Sequence, residues 1–254
     1  MESEYEKKLN IFVEAVIRHE VDIVSLQEVM QPVNAAISDF AHINCGKIPL
    51  KVGNHALNVI NALGKKGLKY NLAWLGFKRS YDKFDEGIAI ITPHEIIDTE
   101  SVALTKFDDY YNWKTRRALA INVLGMWFYS VHFGWWEGFV EEFENLSKST
   151  QGKRCVWLMG DFNSVASERG KGYDLVVNNG WYDTYQLALN KDDGITANTG
   201  IDGWGEGNVN IRIDYIFTNK KRKIQSSFVI FNGINEEVVS DHFGIILTTG
   251  KEEK

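Results

Sequence analysis

Trp157-Leu158-Met159-Gly160-Asp161-Phe162-Asn163-Ser164 places a carboxylate and a carboxamide two residues apart, at the end of an apolar run that starts at Cys155. Residues i and i+2 of an extended chain point to the same side, so Asp161 and Asn163 can address one oxygen. Asp161 can accept a proton or hold a cation, and Asn163 can donate to or accept from the same atom. That pairing suits hydrolysis of a phosphate ester, where charge is neutralised and a water is aimed at phosphorus. The same residues also make a good turn, because Asp and Asn side chains bond their own backbone. The motif alone does not separate the two readings.

Other strand ends add polar groups. Asp22–Glu28 is an apolar run ending in the carboxylate of Glu28, Tyr129–Phe133 carries the imidazole of His132, and Arg212–Phe217 sets Asp214 on an alternating strand. Ser240-Asp241-His242 follows Val238-Val239. Glu28 is of the type a hard divalent cation takes, with one or two carboxylates completed by water and phosphate oxygens; the competing reading is a surface Glu capping a helix. His132 and His242 are the candidate imidazoles. Arg116 and Arg117 could donate to phosphate through a planar guanidinium, or serve as structural residues at a strand start. Trp113, Trp135, Trp136 and Trp204 lie in or beside motif loops and offer flat apolar faces to a sugar ring or a base, whereas Trp181 reads as core. Trp135 and Trp136 cannot both point inward on one strand, so at least one lines the cleft or a loop.

The elements that must position these groups follow from periodicity. Leu9, Phe12, Val13, Val16 and Ile17 mark an amphipathic helix over residues 5–20, and Leu57, Ile60 and Leu63 give a second helical stripe. Strands are expected at 22–27, 70–77, 87–92, 117–124, 126–132, 154–159, 211–217, 224–231 and 243–248, with helices near 136–149 and 172–179. Strands in series with inserted helices suggest two sheets packed face to face with helices outside. No linker, repeat or low-complexity segment interrupts residues 1–254, which read as one domain.

The ordered set of LQE ending at Glu28, His132, GDFN at 160–163, RIDYIF at 212–217 and SDH at 240–242 resembles the endonuclease/exonuclease/phosphatase superfamily of metal-dependent phosphoesterases. The resemblance runs from Leu9 to about Leu247. Within it, Tyr81–Ala89, Asn112–Arg116, His132–Trp136, Gly180–Tyr185 and Ile201–Trp204 are most similar to the bacterial branch containing maltose 6'-phosphate phosphatase. The resemblance implies an α/β fold, a four-layer sandwich of two mainly antiparallel sheets flanked by helices. It also implies Mg²⁺, with Mn²⁺ as a substitute, bound by Glu28 with Asp241 beside the metal or the attacking water. By the same analogy Asp214 orients His242, Glu86 orients His132, and Asp161 and Asn163 complete the water and phosphate contacts. Family members begin with a strand ending in a metal-binding Asn just before the first helix, and Met1–Glu6 contains no such strand. Either the sequence is amino-terminally truncated or the element is absent, and without it backbone groups are expected to be exposed and metal binding weakened.

The bulk numbers bound the substrate. The 254 residues carry a formal charge of −6, which counts against partners held by phosphate-backbone contacts; Lys220–Lys223 reads as a solvated hairpin. The two cysteines, Cys45 and Cys155, lack metal or redox spacing. The amino terminus has no apolar leader and no run approaches membrane-spanning length, so a cytoplasmic protein is expected. The leading expectation is a Mg²⁺-dependent phosphomonoesterase acting on a small phosphorylated sugar by direct in-line water attack. The alternatives are a nuclease cutting DNA or RNA phosphodiesters and a catalytically silent binding module.

Overall fold

In the computed structural model, which describes residues 2–198 and 210–250, the first apolar stripe lies on helix α1 (Glu2–Arg18) and turns Val13 and Val16 into the core. Residues three and four apart share a helical face, which is why this spacing buries one side. The chain continues through β1 (Val24–Pro32), the short β2 (Ile43–Asn44) and α2 (His55–Lys65). Asn54 caps α2, its side-chain oxygen accepting from the N–H groups of Ala56 and Leu57, a contact worth about 1 kcal/mol. Then come β3 (Asn71–Ser80), β4 (Phe84–Thr92), β5 (Asp98–Ala103), β6 (Arg117–Val123) and β7 (Met126–His132). Helix α3 (Trp136–Thr150) leads to β8 (Val156–Asp161), α4 (Gly172–Asn178), β9 (Tyr182–Asp183), α5 (Thr184–Leu187) and β10 (Ala188–Lys191). The last strands are β11 (Asp214–Thr218), β12 (Ile224–Ile230) and β13 (Gly244–Thr249).

The described strands form three sheets rather than two. Their orders are β1-β4-β3-β2, β10-β12-β13 and β5-β6-β7-β8-β11-β9. One apolar cluster joins Ala73, Leu75, Ile88 and Ile90 to Leu119, Ile121, Phe128, Trp157 and Met159, and also takes in Ile224. Both smaller sheets therefore pack on one face of the six-stranded sheet. Helices α1 and α2 cover the four-stranded sheet, and α3 and α4 cover the far face of the six-stranded one. The result is helix, sheet, sheet, helix: the α/β sandwich with its helices outside. Each pairing is antiparallel except β2–β3, β7–β8 and β10–β12.

Two irregularities interrupt the four-stranded sheet. In β1 the register moves from Leu26↔Ala89 to Val29↔Gly87, so Gln27 and Glu28 oppose a single residue of β4. In β3 it moves from Gly76↔Gly87 to Lys78↔Glu86, leaving Phe77 as the extra residue. Bulges of this kind bend a strand and re-aim a side chain. Between them sits Gly87, where a Cβ would lie 2.1 Å from the Leu75 carbonyl oxygen. Only glycine lets the strands approach that closely.

Candidate active site

The six-stranded sheet ends in a row of polar side chains. His132 on β7 pairs directly with Asp161 on β8, and Asp161 with Asp214 on β11. Neighbouring strands lie ~4.8 Å apart, so register alone brings the three groups together. His132 Nε2 is 3.5 Å from Asp161 Oδ2, and Asp214 Oδ2 accepts from His242 Nδ1 at 2.9 Å. The row is held from below. Phe162, between Asp161 and Asn163, points the other way and packs with Phe133, Phe139, Tyr215 and Phe217. Gly160 precedes it with φ +137°. Asn163 takes φ 45°, a left-handed conformation that Asn tolerates better than most residues. Its N–H donates to Asp161 Oδ1 at 2.7 Å and its Nδ2 to the Phe133 carbonyl at 2.9 Å.

The opposite wall comes from the bulges of the four-stranded sheet. Glu28 sits in the β1 bulge at φ 51°, and Lys78 follows the β3 bulge. Lys78 Nζ is 3.0 Å from Glu86 Oε1, and both side chains are almost solvent-free. Glu28, Glu86 and His132 place one ligand-type atom each within 4.8 Å of one another, as do Asp161, Asp214 and His242.

Burial and charge set the protonation of these groups. Burial, reinforced by Glu86, pushes the Glu28 carboxyl above its usual range. Burial and the Arg116 charge lower the Lys78 ammonium. His132 is held well below the ordinary imidazole value by burial and by Arg116, Lys78 and His242, so it is neutral. Asp161 is raised by burial and by the Asp214 charge. For His242, burial alone would lower the pKa. The hydrogen bond and charge of Asp214 outweigh it and lift His242 to about 10.

The comparisons give this arrangement a family. Residues 3–242 match the profile of the endonuclease/exonuclease/phosphatase family. The chain belongs to that family. It is accordingly a metal-dependent phosphoric ester hydrolase. An endonuclease/exonuclease/phosphatase family protein from Leptotrichia buccalis is 31% identical, with a TM-score of 0.86, covering 97% of this chain and 94% of that one. Two more distant structures share the fold. The mannosyl-6-phosphatase of Bacteroides thetaiotaomicron is 18% identical with a TM-score of 0.64, covering 96% of this chain and 91% of its own. The Neisseria 3' phosphatase, bound to a product DNA hairpin, is 17% identical with a TM-score of 0.62, covering 94% and 93%. No curated protein matches the chain in sequence.

The donor set of this phosphoesterase suits a hard divalent cation. Glu28 and Glu86 supply carboxylates beside a neutral imidazole, with Glu28 exposed and Glu86 and His132 buried, and hard cations take such oxygen donors. Asp241 is exposed, and its Oδ1 accepts from the His242 N–H at 3.1 Å.

Other expected residues divide. Arg116 lies where its charge acts on His132 and Lys78. Arg117 is tied to Ser101 and to Asp108 at 3.1 Å on the β5 side. Trp113 is 67% and Trp136 42% exposed, while Trp135 packs partly against Val165, Ala197 and Ile213. Trp204 lies outside the described residues. His132 has two carboxylates near it: Asp161 at 3.5 Å, and Glu86, which lies in the same 4.8 Å group and also pairs with Lys78.

Lys78 carries no motif and escapes a reading of the residues alone. The available signal was a lysine just past seven residues of apolar strand, in register range of Asp85-Glu86-Gly87. Glu142 escapes in the same way. It is buried on α3 and its Oε2 accepts from the Gly134 N–H at 2.6 Å, fixing the turn after His132.

Proposed function

We propose that this family member is a Mg²⁺-dependent phosphomonoesterase acting on a small phosphorylated sugar. Glu28 and Glu86 would hold the ion, with Asp241 alongside. When bound, Mg²⁺ supplies positive charge to the phosphate oxygens as a Lewis acid. His242, tethered at Nδ1 by Asp214, keeps its other nitrogen for a phosphoryl oxygen. Asp161 orients the attacking water and takes its proton, and Asn163 positions the same water. Neutral His132 donates to the phosphate or to the leaving oxygen, and Arg116 adds a guanidinium. Attack is in line, with no covalent enzyme intermediate.

The observation that carries the substrate class is the Trp113 loop. The Trp113 carbonyl accepts from Lys78 Nζ at 3.4 Å and from Arg116 Nη1 at 3.3 Å. The loop is thus tied to two cations of the site while its indole stays exposed as a platform for a sugar ring. The acidic balance of −6 disfavours a long polyanion. The Bacteroides neighbour of the same fold is a mannosyl-6-phosphatase by name.

Phosphate release with Mg²⁺ from a panel of sugar phosphates, phosphorylated disaccharides included, tests the reading. Release that disappears in His242→Ala supports it. Activity on a 3'-phosphorylated DNA hairpin, or on internal phosphodiesters, with none on the sugar panel would replace it. The first of those outcomes would match the Neisseria neighbour.

A further inference from the structure

The wall opposite the polar row carries a buried cation, Lys78. Ala73, Leu75 and Phe77 of β3 face the six-stranded sheet, and Trp74 faces the helices. Strict alternation would send Lys78 to the helix side with Trp74. The bulge at Phe77 turns it back toward the cleft. Along β4, Ile88 and Ile90 share the inward face, and Glu86 continues it. Lys78 and Glu86 therefore meet inside the cleft, 3.0 Å apart.

An ammonium has three N–H groups. Among the described residues two acceptors face that of Lys78, Glu86 Oε1 and the Trp113 carbonyl at 3.4 Å. One N–H is left over. The side chain is only 8% open to solvent, so bulk water is a poor partner for it. The charge acts on Glu28 and His132, which sets Lys78 against the groups assigned to metal and phosphate.

In the phosphomonoesterase proposed above, on which this inference rests, phosphorus sits among Glu28, Glu86, His132 and His242, and the sugar stacks on Trp113. The oxygen joining sugar to phosphorus must lie between them. Lys78 contacts one residue of each group, Glu86 and Trp113. In-line displacement puts the attacking and leaving oxygens on opposite sides of phosphorus. Asp161, which takes the proton of the attacking water, and His132, 3.5 Å from it, stand on the six-stranded sheet. Lys78 stands on the opposite wall. We infer that Lys78 is a catalytic residue whose ammonium donates a hydrogen bond to the leaving oxygen of the phosphate ester. The oxygen of water bonds phosphorus as its proton passes to Asp161. The phosphorus–oxygen bond to the sugar breaks, and its electron pair stays on the leaving oxygen beside the ammonium. That oxygen takes a proton from solvent and Asp161 returns one to it, so both side chains end as they began. His132 and Arg116 then serve the phosphoryl oxygens.

Leaving-group dependence in the full chain with Mg²⁺ tests this. Phenyl phosphate and p-nitrophenyl phosphate differ little in shape, but nitrophenolate spreads its charge over the ring and needs no donor. Lys78→Met is expected to lose roughly 10²–10³-fold in kcat/KM on phenyl phosphate and on sugar phosphates, the usual cost of one donor to a developing oxyanion. On p-nitrophenyl phosphate it should lose less than about tenfold. Both esters are read on one preparation, so the folded fraction cancels in the ratio of the two losses. Lys78→Arg keeps a charge for Glu86 while displacing the donor, and it repeats the test should Lys78→Met not fold. Its loss should again be larger on phenyl than on p-nitrophenyl phosphate. Equal losses on the two esters would make Lys78 a structural cation and overturn the inference alone. A parent that hydrolyses neither ester nor any sugar phosphate overturns the phosphomonoesterase reading, and the inference with it.

Discussion

Lys78 Nζ and Glu86 Oε1 lie 3.0 Å apart across the β3–β4 pair, with less than a tenth of either side chain open to solvent. Removing one member of such a pair leaves an uncompensated buried charge, at a cost of about 3–5 kcal/mol. Lys78→Met should therefore lower stability by about 3 kcal/mol in metal-free buffer. Mg²⁺ should restore more of the melting temperature in the variant than in the parent, because the cation replaces the lost ammonium beside Glu86. Calorimetry with and without Mg²⁺ decides this; an equal loss under both conditions would separate Lys78 from the metal.

Asp214 and His242 should act as one unit. Asp214→Asn and His242→Ala are each expected to lower turnover by roughly 10²–10⁴-fold, the usual range for a positioned acid or base. The double variant should be no worse than His242→Ala alone, since coupled residues are not additive. A multiplicative loss in kcat would show that Asp214 acts on something other than the imidazole.

Trp113→Ala should raise KM about tenfold with kcat and Tm unchanged. Stacking on one aromatic is worth about 1–3 kcal/mol, and an indole that is two-thirds exposed holds little of the fold together. A drop in Tm would assign the side chain to packing instead.

Gly160→Ala should cost more than about 3 kcal/mol. Its φ is +137°, and a Cβ would sit 2.1 Å from the Val131 carbonyl oxygen, so β7 and β8 would be forced apart where His132 and Asp161 meet. The denaturation midpoint measures it. A midpoint within the error of the parent would show that the two strands tolerate a wider gap.

His55 gives a pH dependence away from the site. Burial lowers its pKa from the ordinary 6.5, while the unfolded chain still titrates at that value. The unfolded state therefore binds the proton first, and stability falls as pH drops from about 6.5 through the folded pKa. His55→Gln should flatten that part of the stability curve. An identical slope in both proteins would exclude His55 as the cause.

Much of this was legible in the residues because it rests on strand ends. The apolar runs ending at His132 and Asp161 announce their polar termini, and the alternation around Asp214 announces its face, whereas Glu28, expected at a strand end, lies inside β1 at its bulge. The stripes of α1 and α2 read correctly for the same reason, a single buried side. β5 escaped because Asp98–Ala103 is a half-exposed edge with no clean alternation, and β9 and β10 are too short to have a period. Lys78 escaped for a different cause. A bulge shifts side-chain direction by one residue, and period-two reasoning has no term for it. The division of one layer into two sheets rests on a gap between β1 and β13, strands distant in the chain.

The β1 bulge makes the chemistry sensitive to chain length in a way the fold is not. Gln27 and Glu28 together face one residue of β4. Deleting either would let the ladder close into plain pairing, and deleting Gln27 would also remove its bonds to Ser25 and Ser130. A Glu28 deletion removes the carboxylate outright. A Gln27 deletion leaves it in a strand that no longer bends it toward Glu86. An in-frame loss of three nucleotides could thus yield a well-folded copy without hydrolytic power. Such a copy would be recognised by counting residues between Leu26 and Val29.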